Sequence, residues 1–267
     1  MPPTAPLVPI PYALRRLDEI DSTNAEAMRL AAAGERGPLW ITAASQTLGR
    51  GRSGRQWQSV PGNLFATLLL TLECETAVAH QLSLVAGVAA IEAVRAAALD
   101  RGSHTVPGLR LKWPNDLLIG ADKFGGILPE SVSVGAHDRR VAAIGIGMNL
   151  AGHPQGLDRG ITHLAAHGLH LEPDQMLQCL VSSMDRWLLR WDNGAGFATV
   201  RTAWLTNAGP AGEAISINTG RVRLGGTFIG IDSDGALLLR DASGLEQRFT
   251  YGDVSLGAPV EITAGQR

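Results

Sequence analysis

Leu109-Arg110-Leu111-Lys112-Trp113-Pro114-Asn115-Asp116-Leu117-Leu118-Ile119-Gly120-Ala121-Asp122-Lys123-Phe124-Gly125-Gly126-Ile127-Leu128 reads as short strands folded back on one another. Leu109 to Trp113 is an extended apolar run that breaks at the turn dipeptide Pro114-Asn115, and Asp116 to Ile119 resumes extended. Gly120-Ala121-Asp122 turns the chain again into Lys123 to Val134, and Val141 to Asn149 adds a further strand. Upstream, Leu39 to Ser45 and Asn63 to Leu72 have the same apolar, extended character. A helix from Asn24 to Ala33, with Thr23 and Glu26 at capping-box spacing and Gly34 as its stop, precedes them. A long alanine-rich helix follows from Ala77 to Leu99. Many strands with few intervening helices predict an α+β fold, a mixed or antiparallel sheet with flanking helices.

Beyond Pro173 the period changes. Met176, Leu177, Leu180, Val181, Met184, Trp187, Leu188 and Trp191 recur at helical spacing, a stripe expected to pack on the sheet. A helix around Phe197 to Leu205 leads to Gly209-Pro210-Ala211-Gly212, read as a domain boundary. Six short strands then follow at near-regular spacing: Ile215 to Ile217, Arg221 to Leu224, Thr227 to Ile231, Ala236 to Leu239, Glu246 to Thr250 and Val254 to Leu256. Such small hairpins predict a compact barrel.

The 267 residues are enough to bury a sizeable core. With 45% hydrophobic and 18% charged residues and a net charge of -2, the chain has no global attraction to nucleic acid or anionic membrane. Cys74 and Cys179 have no metal-ligand or disulfide-framework spacing and are expected reduced and buried. Met1 to Pro11 is proline-rich and lacks the pattern of a secretory signal, so a cytoplasmic address is expected. His80, Gln81, Glu92 and Arg95 interrupt the apolar run from Val78 to Leu99, which reads as a buried helix.

Gly49-Arg50-Gly51-Arg52-Ser53-Gly54-Arg55-Gln56-Trp57 interleaves arginines with glycines between two strands. Glycine lets the backbone come close to a ligand, and each arginine offers a planar fork of donors matched to phosphate or carboxylate. No Asp or Glu occurs from Arg36 through Leu72, so the charge of these arginines is expected to be open to an incoming anion. Lys112, Asn115 and Asp116 set a cation, an amide and a carboxylate at one rim, and Asp116 is a candidate magnesium ligand between phosphates. Lys123 offers a compact positive charge to an oxyanion. Gly145-Ile146-Gly147-Met148-Asn149 ends a strand whose glycines permit close approach by a ligand.

Ser22-Thr23-Asn24, Gln46 ahead of GRGRSGRQW, KWPND at 112–116, DKFGGIL at 122–128 and GIGMN at 145–149 stand in the order found in bacterial biotin protein ligases. The chain resembles that family from about Ile20 to about Leu256. The resemblance implies a class II synthetase-like catalytic domain at 20–210 and an SH3-like β-barrel at 211–267, behind a proline-rich leader at 1–19. It implies that Ser22, Thr23, Asn24 and Gln46 line a pocket for the fused rings of biotin, with Lys123 and Gly126 beside it. Arg50, Gly51 and Arg52 would fold over biotin's carboxylate and the adenylate phosphate, with Lys123, Arg50 and Arg52 catalytic. Arg55, Trp57, Lys112, Asn115 and Asn149 fall on or beside positions associated with ATP, Trp57 as a flat partner for adenine. Biotin, ATP and Mg2+ are the implied cofactors, and the implied partner is a lysine on a biotin carboxyl-carrier domain.

Only about twenty residues precede the first of these blocks, too few for a DNA-binding domain, so a ligase with no operator is expected. No membrane partner is expected either, and the chain is read as a monomer or homodimer. Pro129, in a strand, suggests an edge or bulge there, and Gly257, where some relatives of the family have an arginine, weakens the expectation that the barrel reaches the nucleotide in the same way as theirs. Two rival readings remain at this point: a lipoate or octanoyl ligase of related fold, and a non-enzymatic module using the arginine loop as a phosphate clamp. GRGRSGRQW and KWPND favour biotin over lipoate, and Lys123 argues against the clamp.

Overall fold

Seven strands share one mixed sheet: β1 (Ala13–Ile20), β2 (Leu39–Gln46), β3 (Leu64–Glu73), β4 (Leu109–Lys112), β5 (Asp116–Ile119), β6 (Asp122–Ser133) and β7 (Arg139–Met148). Their order is β1-β2-β3-β7-β6-β5-β4, with β1 parallel to β2 and every other pair antiparallel. The computed structural model describes residues 12–102, 105–134, 139–156 and 160–257. Most of the expected leader, residues 1–11, lies outside these. The rest of it is corrected: residues 13–20 form β1 at the sheet edge, and Tyr12 meets Trp40 edge-on at 6.4 Å. With both faces largely exposed, the β1 sequence ALRRLDEI carries too little apolar alternation to announce a strand.

One face of the sheet carries α1 (Thr23–Ala32), whose Ala27 and Ala31 are buried against Ile41, Leu69, Val141 and Ala143. Its N-cap is Ser22, whose side chain accepts from the Ala25 N–H. The expected Thr23–Glu26 capping box does not form, because Glu26 pairs with Arg15 and Arg29 instead. The other face carries α2 (Leu82–Asp100), α3 (Pro173–Trp191) and α4 (Phe197–Asn207). The segment from Val78 to Asp100 is long and apolar enough to cross a membrane, but most of it is buried within this fold. A Cβ on Gly87 would approach Leu111 Cδ2 to 3.2 Å, so a small residue suits the tight seat of α2 on the sheet. The α3 stripe is core as expected, with Met176, Leu180, Met184 and Trp191 almost fully buried.

Five strands form the C-terminal antiparallel sheet: β8 (Ala214–Asn218), β9 (Arg223–Ile231), β10 (Leu237–Arg240), β11 (Glu246–Phe249) and β12 (Asp253–Leu256), in the order β11-β10-β9-β8-β12. The strands expected at Arg221 to Leu224 and Thr227 to Ile231 are one, because Gly225 and Gly226 carry the pairing with β8 through. This sheet is fastened to the end of the large one where β4 lies. Arg110 donates to Glu213 at 2.7 Å and Trp113 Nε1 to Gly235 O at 3.0 Å, while from α4 Arg201 Nε donates to Ile231 O at 2.8 Å. β6 outruns β5 beyond Gly126, and Pro129 sits where that flank of the strand has no partner.

Candidate active site

Strand register lays a row of residues across the sheet face shared with α1: Lys112 opposite Asp116, Asp116 opposite Gly126, Gly126 opposite Gly147, and Gly147 opposite Phe65. Residues paired directly across strands point to the same face, so two glycines leave a bare floor between the charged groups and Phe65. The Trp57 indole lies on that floor. A Cβ on Gly147 would come within 2.8 Å of the ring, and one on Gly126 within 3.4 Å.

Lys123 reaches the same face through a bulge. Leu117 pairs with Gly125 but Leu118 pairs with Lys123, so Phe124 is an extra residue on β6. Plain alternation would put Lys123 and Gly126 on opposite faces; the bulge sends Phe124 into the core and turns Lys123 toward Asp116. The ammonium of Lys123 pairs with one Asp116 oxygen, and Lys112 Nζ lies 2.8 Å from the other. Burial pushes the Asp116 carboxyl up, but the Lys123 and Lys112 ammonium groups outweigh it and hold the carboxyl down at about 2. Lys123 also stands 5.7 Å from the centroid of the Trp57 ring. Its backbone is clamped on the far side, donating to Gly160 O and accepting from the Thr162 N–H, both at 3.0 Å.

A neutral polar pocket adjoins these charges. Gln46 Oε1 accepts from the Thr23 N–H at 2.9 Å, and Thr67 Oγ1 lies 2.8 Å from Thr23 Oγ1 and 2.7 Å from Asn24 Oδ1. Asn24 Nδ2 donates to Leu128 O at 2.9 Å and to Glu130 Oε2 at 2.8 Å. Asn24 fits only because position 145 is glycine, where a Cβ would lie 2.3 Å from Asn24 Oδ1. The start of α1 therefore presents fixed donors and acceptors, suited to the amide-like edges of an uncharged ring.

The arginine loop covers the opening between pocket and floor. It closes on itself through Gly51 N–H to Arg55 O at 2.7 Å and Trp57 N–H to Gly49 O at 2.9 Å. The expectation that its arginines are unpaired is corrected by tertiary partners. Arg50 Nη2 lies 3.3 Å from Glu130, Arg55 Nη2 lies 2.5 Å from Asp253, and Arg52 donates to Gly252 O at 3.2 Å. Burial lowers the pKa of Arg52, and Arg55 adds to that pull against the opposite effects of Asp253 and Asp116. An arginine stays charged regardless, so the group is a partly buried cation.

Pocket, floor, lysines and loop bound one cavity of about 470 Å³. Ser22, Thr23, Asn24, Gln46, Arg50, Gly51, Arg52, Arg55, Trp57, Lys112, Asn115, Asp116, Lys123 and Gly126 all line it. Asn149 does not. Its amide is buried and spent internally, donating to Thr162 O at 3.0 Å and accepting from Asn63 at 3.3 Å, which makes it a strut behind Lys123. Asp116, read as a magnesium ligand between phosphates, has each of its oxygens facing an ammonium, a setting that does not fit a dication.

Sequence reasoning missed Thr67, Glu130 and Asp253. Thr67 carried a signal as a hydroxyl within an apolar strand; the two acids carried none. The C-terminal sheet lines the cavity through Asp253 to Leu256, and Gly257 does not.

Residues 17–149 match the biotin/lipoate A/B protein ligase family, and residues 211–257 match the biotin protein ligase C-terminal domain. The chain is 40% identical over 236 residues to the biotin--[acetyl-CoA-carboxylase] ligase of Paracoccus denitrificans, covering 85% of this chain and 94% of that one. It is 32% identical over 251 residues to the bifunctional ligase/repressor BirA of Bacillus spizizenii, covering 90% of this chain and 73% of that one. Among solved structures, the biotin protein ligase of Aquifex aeolicus in complex with biotin and ATP superposes with a TM-score of 0.74 at 26% identity, covering 92% of this chain and 99% of that one.

Proposed function

The chain belongs to the biotin protein ligase family, and on that premise we propose that it activates biotin with ATP and passes it to a lysine of a biotin carboxyl-carrier domain. The observation that carries this reading is the convergence of Lys123, Arg50 and Arg52 on one cavity that also holds the Ser22-Thr23-Asn24 and Gln46 pocket. The neutral pocket suits the ureido ring of biotin, whose carboxylate then points toward the cations.

A carboxylate is a poor acylating agent, so amide formation requires activation. A biotin carboxylate oxygen attacks the α-phosphorus of ATP, the bond to the bridging oxygen breaks, and pyrophosphate leaves with that electron pair. Negative charge concentrates at phosphorus, where Lys123 and Arg52 are held to offset it. Losing one such preorganised donor costs about 2.7–4 kcal/mol of transition-state stabilisation. Asp116 acts as a positioning group that keeps both lysines aimed across the glycine floor. The exposed face of Trp57 is the surface for adenine, and the loop excludes water from the reactive anhydride. The neutral ε-amine of the carrier lysine then attacks the acyl carbon, AMP leaves, and the amine sheds its proton. We place this reaction in the cytoplasm.

ATP–pyrophosphate exchange, measured separately with biotin and with lipoate, tests the reading. Exchange with biotin, followed by an added biotinyl mass on a carrier domain, supports it; exchange with lipoate alone would overturn it.

A further inference from the structure

Three cavity cations reach across to a single turn of the C-terminal sheet. Gly252 O accepts from Arg52 Nη1 and Nη2 at 3.3 and 3.2 Å. The Asp253 carboxylate lies 2.5 Å from Arg55 and 3.8 Å from Arg52, and Val254 O accepts from Lys112 at 2.9 Å. The turn itself is rigidly placed. Asp253 opens β12, paired with Asn218 of β8, and a Cβ on Gly252 would lie 2.8 Å from Ile217 at a φ of +140°. The arginine loop, by contrast, is closed by its own short-range hydrogen bonds and owes its placement over the cavity to side-chain anchors.

We propose that Asp253 is a positioning residue: it parks Arg52 and Arg55 at the cavity mouth before any ligand binds, filling the charge role that an anionic substrate group later takes. The C-terminal sheet is thereby an active component of the loop's ordering. Each link is partly exposed and weak alone, so the docking depends on several acceptors being fixed in one rigid turn. That the incoming anion is the ATP triphosphate rests on the ligase reading; the docking does not.

Hydrogen–deuterium exchange of residues 49–57 in the ligand-free full chain tests it. Asp253→Asn and Arg55→Gln each speed exchange of that segment about fivefold, whereas Asp253→Glu, which keeps the charge, stays within about twofold of wild type. Exchange in β3 and β7 reports whether each variant is folded; should Asp253→Asn be unfolded, Arg55→Gln decides alone. Wild-type exchange of 49–57 in a folded Asp253→Asn or Arg55→Gln variant overturns the proposal. In turnover, Asp253→Asn raises KM for ATP about fivefold and KM for biotin less than about twofold. An unchanged KM for ATP would reduce Asp253 to a structural contact and defeat the positioning role. Adding biotin and ATP to wild type slows exchange of the segment; a loop loosened by Asp253→Asn yet unprotected by these ligands would sink the ligase reading and leave the docking standing.

Discussion

The Lys123 ammonium is ion-paired to the Asp116 carboxylate across a bulged pair of strands, on the same sheet face as the bare Gly126–Gly147 floor. The pair holds a flexible side chain in one place against the cavity. Lys123→Ala is expected to lower adenylate formation by roughly a hundredfold to a thousandfold with the fold intact. Pyrophosphate exchange together with circular dichroism checks this, and near-normal exchange would show that another group carries the charge.

Asp116 makes the pair a pH-dependent contribution to stability. Its carboxyl is held at about 2 in the folded chain against an ordinary 3.8. A carboxyl lowered on folding adds stability that is complete above its unfolded pKa and lost as pH falls through its folded one. The contribution is on the order of 2 kcal/mol and disappears between about pH 4 and about pH 2. Denaturant unfolding of Asp116→Asn against wild type should show that deficit at about pH 6 and a shrinking one toward about pH 2. A deficit independent of pH would mean that the charge of Asp116 is not what stabilises.

At Gly147 the floor has no room for a side chain. Gly147→Ala places a methyl 2.8–3.1 Å from three atoms of the Trp57 indole, so the ring must lift. Adenylate formation is expected to fall roughly tenfold, because the reacting groups lose their alignment. Tryptophan emission should shift with it, and the shift should be absent in a Trp57→Phe background.

Thr67 supports the neutral pocket from beneath. Thr67→Val keeps the shape but removes the hydroxyl between Thr23 and Asn24, leaving buried polar atoms short of a partner at a cost of about 1–3 kcal/mol. KM for biotin should rise roughly tenfold and that for ATP less than about twofold. Equal effects on both would place biotin elsewhere.

Arg52 bridges the loop to Asn115 and Gly252, and its loss should let the anhydride escape. Arg52→Ala is expected to release biotinyl adenylate about tenfold faster, measured by rapid filtration after a single turnover. Unchanged release would remove the loop from the role of lid.

Much of this architecture is local and could be read directly. Pro114-Asn115 and Gly120-Ala121-Asp122 specify turns by their own backbone preferences, and the α3 stripe specifies its buried face by period alone. The site blocks were legible for the same reason, since Gly49 to Trp57 and Lys112 to Asp116 each carry their chemistry within a few residues. The partners of those blocks were not. Glu130 and Asp253 lie 80 and 198 residues from the arginines they hold, and nothing in their own neighbourhoods marks them. Asn149 followed a glycine-rich strand end, yet long-range contacts with Asn63 and Thr162 turned it inward.

From the residues alone came the inventory of charges and glycines, the turns that separate them and the helical stripe that packs behind. Folding added the pairing: one extra residue at Phe124 chose the face on which Lys123 emerges, and a turn from the second sheet chose where the arginines rest. Turn and helix preferences act over a few bonds, whereas strand register and the choice of counterion are settled between segments that meet only once the chain has folded.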